Sequence, residues 1–316
     1  MIPLKIVLIL LGVFFFLAIA TCAVCFYIAF YAPRRTPKNA PEFDIPPGKI
    51  YEPHRDTMVA WMKEIRAMPH KQYAIQSHDG LNLYGKFYEY APGATVELMF
   101  HGYRGSAERD LCGGVQRCFS LGHSAFVVDQ RTSGMSGGRV ITFGLREQED
   151  CLRWVDFCIK EFGKDVKIIL TGISMGAATV LMAAGRELPE QGVGILADCG
   201  YTSAKKIICK CIRQLHLNDK LLYPFIRIGA QLFGGFDPNK ADATAALATC
   251  QKPVIFYHGD DDDFVPCSMS EENHAACPAP KRFVVMPGAG HGLCYLVDAQ
   301  GYLAALKEFG DEHGWN

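Results

Sequence analysis

The fold is decided by the stretch Lys167-Ile-Ile-Leu-Thr-Gly-Ile-Ser-Met-Gly176. Its apolar start predicts a buried strand, and the run Ala177 to Ala184 that follows predicts a helix. Between them, two glycines flank Ser174 on a turn too tight for larger side chains. Such a turn presents the hydroxyl of Ser174 at the end of the strand, beside a helix N-terminus that favours negative charge. We therefore interpret Ser174 as a candidate nucleophile and the backbone N–H of Met175 as a candidate oxyanion donor.

Candidate partners for this serine follow two later strands. A serine hydroxyl needs a base within hydrogen-bond reach, and that base is itself oriented by a carboxylate. The predicted strand Val254–Tyr257 precedes four consecutive aspartates, and the predicted strand Arg282–Met286 precedes Gly-Ala-Gly-His291-Gly. Open α/β sheets place their sites at the carboxyl ends of strands, so the pattern predicts a triad in the order Ser, Asp, His. The aspartate run alone is also compatible with a solvated loop, but it lacks the ligand spacing of a calcium-binding EF-hand.

Short apolar runs alternate with helical stretches from residue 70 onward, which is typical of a mainly parallel sheet with helices on both faces. We predict about eight strands: Tyr73–Ser77, Leu81–Tyr88, Val96–Phe100, Ser124–Val128, Lys167–Leu170, Gly194–Ala197, Val254–Tyr257 and Arg282–Met286. Residues 203–250 are too many for one crossover helix, and they predict a small helical cap. Its many large apolar residues, Phe225 among them, suggest an apolar pocket over Ser174.

Several of these segments resemble motifs of the α/β-hydrolase superfamily, in particular its bacterial serine aminopeptidase-like and esterase-like branch. The resemblance covers residues 70–316 and rests on the serine turn and three further motifs: His101-Gly-Tyr103, Asp129-Gln-Arg131 and His258-Gly-x-x-Asp262-x-x-Val-Pro266. It implies an α/β-hydrolase fold. It also selects Asp262 from the four aspartates and supplies the N–H of Tyr103 as the second oxyanion donor. The chain departs from the pattern at Ser133, where many relatives have histidine.

The N-terminus contains a long apolar run, since 26 consecutive residues from Ile6 to Tyr31 are uncharged. As a helix this run would reach about 39 Å, more than the roughly 30 Å of bilayer hydrocarbon, and it predicts one transmembrane anchor over residues 1–32. A cleaved signal peptide is the alternative, because Ala18-Ile-Ala20 imitates a cleavage site. The apolar run continues beyond that site, which favours the retained anchor.

The flanks of this run predict the orientation of the chain. Arg34, Arg35 and Lys38 follow the span, and the more basic flank tends to stay in the cytoplasm. Eleven cysteines outside the span, an odd number without a paired framework, also favour a reducing compartment. We therefore expect a single-pass membrane protein with a cytoplasmic catalytic domain. Residues 33–69 predict a proline-rich tether that leads into a short amphipathic helix at Met58–Met68.

Composition limits the remaining functions. With 32 basic and 33 acidic residues the formal net charge is −1, which gives no long-range field to attract nucleic acid, and we expect no nucleic-acid partner. We expect no metal and no organic cofactor, because the cysteines lack zinc spacing and a serine triad needs neither. The favoured function is hydrolysis of a carboxylic ester (or amide) in a small-molecule or lipid-like acyl substrate. Two alternatives stay open: an aminopeptidase-like enzyme, with Asp261 or Glu271 binding the substrate amine, and a non-catalytic membrane-tethered binding protein. The sequence does not predict an oligomeric state.

Overall fold

An eight-stranded sheet forms the centre of the chain, which a computed structural model describes for residues 3–33 and 42–315. The strands lie in the order β1-β2-β4-β3-β5-β6-β7-β8. The first two are antiparallel to their neighbours and the others are parallel. Their bounds are β1 Lys71–Gln76, β2 Asn82–Tyr88, β3 Val96–Phe100, β4 Ser124–Asp129, β5 Ile168–Ile173, β6 Gly192–Asp198, β7 Val254–Gly259 and β8 Lys281–Met286. The predicted fold class, with about eight mostly parallel strands, is confirmed.

Helices cover both faces of this sheet. Their bounds are α1 Leu4–Ala29, α2 Arg55–Ala67, α3 Ala107–Ser120, α4 Glu147–Phe162, α5 Met175–Ala184, α6 Ala204–Gln214, α7 Asp219–Gly229, α8 Ala243–Leu247, α9 Cys267–Ala276, α10 Cys294–Val297 and α11 Ala299–Glu312. Alternate strand residues face opposite layers. Leu98 and Leu170 belong to the core beneath α4 and α5, whereas Met99 packs with α3 and Ile169 with α11. Burial on both faces explains why the central strands are almost continuously apolar.

The apolar N-terminal run forms α1, a candidate membrane span by length and composition. Its residues 4–17 are exposed along their whole length, and contact with the domain begins at Ala18. Farther along, Cys22, Phe26 and Phe30 are buried, and the two phenylalanines belong to the same core as the sheet. A backbone bond from the Ile141 N–H to the Phe30 carbonyl ties the end of this segment to the loop before α4. The last turns of α1 are therefore part of the folded domain.

The segment after α1 differs from the unpacked tether expected for it. Arg34, Arg35 and Lys38 lie outside the described residues. From residue 42 the chain packs on the domain, with Ile45 and Tyr51 buried against α2 and α3. Prolines limit backbone freedom without preventing burial of the apolar side chains between them, which is why composition was a poor guide here.

The cap consists of α6, α7, a π-helical turn at Ala230–Gly234, a 3₁₀ turn at Pro238–Lys240 and α8. Ser203 and Asn218 begin the two longer helices by accepting backbone N–H bonds. Helix α7 packs against both α6 and α1. The cap is thus fixed to the sheet on one side and to the N-terminal helix on the other.

Candidate active site

Ser174 lies on a strained turn between β5 and α5. Its backbone has φ 56° and ψ −114°, a left-handed conformation that non-glycine residues rarely adopt. The two flanking glycines are required by close approach: a Cβ on Gly176 would lie 1.9 Å from the Phe100 carbonyl oxygen, and one on Gly172 would lie 2.2 Å from the carbonyl of Gly176. The glycines therefore let α5 start directly against β3 and β5, with Ser174 at its N-terminus.

The structure brings together the three residues predicted from the ends of separate strands. Ser174 Oγ lies 2.9 Å from His291 Nε2, and His291 Nδ1 lies 2.7 Å from Asp262 Oδ2. All three are buried. Because the carboxylate accepts the Nδ1 proton, Nε2 is left with its lone pair toward the serine hydroxyl. This is the geometry in which a histidine takes a proton from a serine.

Asp262 is held in its ionised form from several directions. Its Oδ1 accepts the backbone N–H groups of Phe264 and Val265 at 2.9 and 2.8 Å. Burial by itself raises the pKa of Asp262, but hydrogen bonds from His258 and His291 and from the Val265 backbone outweigh it and keep the pKa well below its usual range. The neighbouring aspartates 260, 261 and 263 are exposed. Of the four, Asp262 is the one turned toward His291.

His258, the first residue of the motif that contains Asp262, contacts this site directly. It is fully buried, and its Nε2 lies 2.8 Å from the Val265 carbonyl oxygen and 3.2 Å from Asp262 Oδ2. On the other side of the ring, Nδ1 lies 2.7 Å from Ser270 Oγ. With Nε2 protonated, His258 supports the same carboxylate oxygen that orients His291. Its position four residues before Asp262 is the signal in the sequence that could have indicated this role.

The loop after β3 lies beside Ser174, as the His-Gly-Tyr motif predicts. A Cβ on Gly102 would be 3.6 Å from Ser174 Cβ. The Gly102 N–H donates to Asp110 Oδ2 at 3.1 Å, and His101 Nε2 accepts the Gln130 N–H at 3.0 Å. These bonds fix the loop on α3 and β4. The adjacent N–H of Tyr103, with that of Met175 at the start of α5, remains a predicted oxyanion donor.

The side chains of the same loop bind the end of α1. The Tyr103 hydroxyl donates to the Ala29 carbonyl oxygen at 2.8 Å. Arg104 Nη2 donates to the carbonyl oxygens of Ile28 and Tyr31 at 2.8 and 3.0 Å, and its Nε donates to the Tyr103 hydroxyl at 2.9 Å. Carbonyl groups at a helix C-terminus lack partners within the helix, and these donors satisfy them. The candidate oxyanion loop is thereby joined to the N-terminal helix, a connection for which the sequence gives no local signal.

The first cap helix contacts the loop that carries Asp262. Gln214 Nε2 donates to the Asp263 carbonyl oxygen at 2.8 Å, and Lys210 Nζ donates to the same oxygen. The ring of Phe264, 42% exposed, lies edge-on to His291 with 5.0 Å between centroids. Phe264 is therefore an apolar side chain at the site that sequence reasoning missed. Phe225 is half-buried on α7, and its role in a pocket over Ser174 remains a prediction.

Among the residues that the structure describes, two groups of side chains have donors close enough to share a metal ion. One group is Cys199 with Asp262 and His291. Burial raises the pKa of Cys199 well above its ordinary value, which disfavours the thiolate that a metal would need. The other is His78 with Asp79 and Asp150, whose two carboxylates both bind the Arg131 guanidinium. Neither arrangement favours a metal centre.

Comparisons with known proteins agree with this architecture. No protein-family model matches the chain. Among solved structures, the esterase Pf2001 of Pyrococcus furiosus superposes with a TM-score of 0.64 at 20% identity, over 87% of this chain and 99% of that one. The chain has the α/β-hydrolase fold. A second solved structure, Est1E of Butyrivibrio proteoclasticus with ferulic acid bound, gives a TM-score of 0.58 at 20% identity, over 77% of this chain and all of that one.

One sequence relative has no described activity. The uncharacterized protein YqkD of Bacillus subtilis is 27% identical over 192 residues, which is 60% of this chain and 63% of YqkD. The match thus spans less than two thirds of that relative. It carries no information on activity or substrate.

Proposed function

We propose that this chain is a membrane-anchored serine hydrolase that cleaves a carboxylic ester through an acyl-enzyme. The observation that carries the proposal is the hydrogen-bonded series Ser174–His291–Asp262, which converges from three strand ends on a strained serine turn. Strain at a buried polar residue needs compensation from the surrounding structure, and active sites are where it is commonly found. The name of the structural neighbour from Pyrococcus furiosus, an esterase, supports the same class of chemistry.

The proposed reaction begins when Ser174 Oγ attacks the ester carbonyl carbon while His291 Nε2 accepts the hydroxyl proton. The carbonyl oxygen becomes an oxyanion that accepts the N–H groups of Met175 and Tyr103. As the ester C–O bond breaks, His291 gives its proton to the leaving alcohol. A water molecule then attacks the acyl-Ser174, His291 accepts the proton of that water, and the carboxylic acid leaves as Ser174 regains its hydrogen. Asp262 remains ionised throughout and stabilises the imidazolium.

An ester substrate is favoured over a peptide by the surroundings of the triad. An aminopeptidase needs a carboxylate that binds the substrate amine, and the two candidates from the sequence, Asp261 and Glu271, are both exposed. The apolar ring of Phe264 beside His291 fits an acyl or alkyl group instead. A panel of esters and aminoacyl amides of matched size would measure this preference, and faster cleavage of the amides would contradict it.

The anchor and its orientation belong to the same proposal. Retention of α1 is supported by the burial of Phe26 and Phe30 in the hydrolase core, because this helix is continuous through the imitated cleavage site at Ala20. A cytoplasmic domain is supported by the free cysteines outside α1, all within the described part of the chain. Accessibility of Cys209 to an impermeant thiol reagent in intact and in opened cells would test the side, and labelling in intact cells would contradict it.

The nucleophile is tested by labelling the full-length protein in membranes with a fluorophosphonate probe. Wild type should be labelled and Ser174→Ala should not. Ser120→Ala is the matched control, because Ser120 is an exposed serine at the end of α3 and should leave labelling unchanged. Equal labelling of Ser174→Ala and wild type would refute the proposed nucleophile, and the absence of labelling in wild type would favour a binding protein with this fold.

A further inference from the structure

Exposed apolar side chains are concentrated on one part of the cap. Outside α1, twelve large apolar side chains of the described residues are exposed, and six of them lie within residues 215–233. These six form what we term the cap face: Leu215, Leu217, Leu221, Ile228, Leu232 and Phe233. A cluster of this kind on a soluble surface marks a contact with another apolar phase.

The cap face continues the surface of α1. Helix α7 passes so close to α1 that a Cβ on Gly229 would lie 2.4 Å from the Cys22 carbonyl oxygen. One turn later, the Phe233 ring lies 5.8 Å from that of Phe26. Because both pairings advance together along the chain, the two segments run in the same direction. The start of α7, with the exposed Leu221 and with Leu217 just before the helix, is therefore directed toward the apolar N-terminal half of α1.

The length of α1 determines how close the cap lies to the hydrocarbon of the bilayer. Residues 4–17, the part free of the domain, reach only about 21 Å as a helix, whereas bilayer hydrocarbon is roughly 30 Å thick. About six more residues are needed to span it, which takes the apolar slab to about Ala23. The domain already covers α1 from Ala18. A spanning α1 thus draws the neighbouring cap surface into the boundary of the bilayer.

The charged residues of the cap are those expected of a helix at a membrane interface. Residues 204–234 contain six basic residues and one acidic residue, Asp219. Arg213 and Arg227 form ion pairs with Asp219 and Asp237, at the edges of α7. Helices that lie in a membrane interface combine large apolar side chains with Lys and Arg on the polar side.

We propose that the cap face inserts into the lipid bilayer, on the leaflet from which α1 enters the domain. The domain would then contact the membrane through the cap face as well as through α1. This inference rests on the membrane anchor of the proposed function, but not on the identity of the nucleophile. It places the contact between α6 and the Asp262 loop near the lipid surface, where a lipid-like ester would be available.

The test uses the full-length protein reconstituted in phosphatidylcholine vesicles, with and without brominated acyl chains that quench tryptophan on contact. Leu221→Trp should be quenched about as strongly as Phe15→Trp, which reports the exposed part of α1. Tyr90→Trp is the control, because Tyr90 is an exposed residue after β2, at the edge of the sheet opposite the candidate active site. It should show no more quenching than the three native tryptophans.

The outcomes separate the surface from the anchor and from catalysis. Quenching of Phe15→Trp without quenching of Leu221→Trp would overturn the cap face while leaving the anchor intact. Quenching at neither position would overturn both. Hydrolysis of a short soluble ester, measured on the same samples, reports the proposed catalytic function independently, because the cap face is absent from its machinery. Quenching at both positions, with Tyr90→Trp unaffected, is the expected result.

Discussion

The two loops that flank Ser174 are held in place by different parts of the molecule. The loop of Asp262 is fixed by the hydrolase domain itself, through two backbone N–H groups, two histidines and cap helix α6. The side chains of Tyr103 and Arg104, in the other loop, depend on carbonyl groups at the end of α1. The N-terminal helix therefore contacts the candidate oxyanion loop directly, so that the proposed membrane anchor and the proposed oxyanion donors share one element.

The largest effect is expected on the Asp262 side. Asp262→Asn should lower kcat by about 10⁴-fold, since an amide cannot hold the Nδ1 proton of His291 as the carboxylate does. Asp261→Asn is the matched control, because that side chain is exposed, and its kcat should stay within about twofold of wild type. Steady-state hydrolysis of a soluble ester measures both. A larger loss of kcat in Asp261→Asn than in Asp262→Asn would show that Asp261 is the carboxylate that orients His291.

A smaller effect is expected on the α1 side. Arg104→Ala removes the bonds to Ile28 and Tyr31 but leaves the backbone donors present, so kcat should fall about 10- to 100-fold with little change in KM. Arg104→Lys should restore part of the loss. The control is Arg146→Ala, since Arg146 binds the carbonyl oxygens of Gly234 and Gly235 in the cap by similar bonds. Equal losses in both arginine variants would indicate general destabilisation and remove the distinction between the loops.

The smallest effect on activity is expected away from both loops, at Glu97 near the start of β3. This buried carboxylate bonds Arg117 and His123. Burial raises the pKa of Glu97, but the charge of Arg117 and the contacts with His123 outweigh it and lower the pKa to about 2. The folded pKa is below the ordinary value of 4.5, so the stabilisation is complete above pH 4.5 and is lost as the pH falls toward 2.

Glu97→Gln should therefore lower the free energy of unfolding at pH 7 by on the order of 3 kcal/mol, and the difference from wild type should shrink below pH 4.5. Activity per folded molecule should stay near that of wild type, because Glu97 touches neither loop. Thermal unfolding followed across this pH range measures the difference. A difference that is constant with pH would show that the charge of Glu97 contributes nothing.

The sequence was sufficient to predict those parts of the fold and of the candidate site that depend on short local patterns. The glycines around Ser174 and the apolar strands before Asp262 and His291 predict both the fold and the positions that the structure brings together. It was insufficient where a role arises from contacts between distant segments. A uniformly apolar helix has no periodicity to show which side is packed, so the docking of α1 was not predictable. The same holds for Arg104 and Phe264, whose partners are distant in sequence and are brought near only by the fold. Tyr51 is a third case, since its hydroxyl donates to the His291 carbonyl oxygen at 3.0 Å.

The proposal that Ser174 is the nucleophile is tested by locating the covalent adduct that a fluorophosphonate leaves on the protein. The full-length protein would be treated with a fluorophosphonate, digested and analysed by mass spectrometry. We expect one modified serine, in the peptide that contains Ser174, and no adduct in the Asp262→Asn variant after the same short exposure. An adduct on a different serine of the wild-type protein would contradict it.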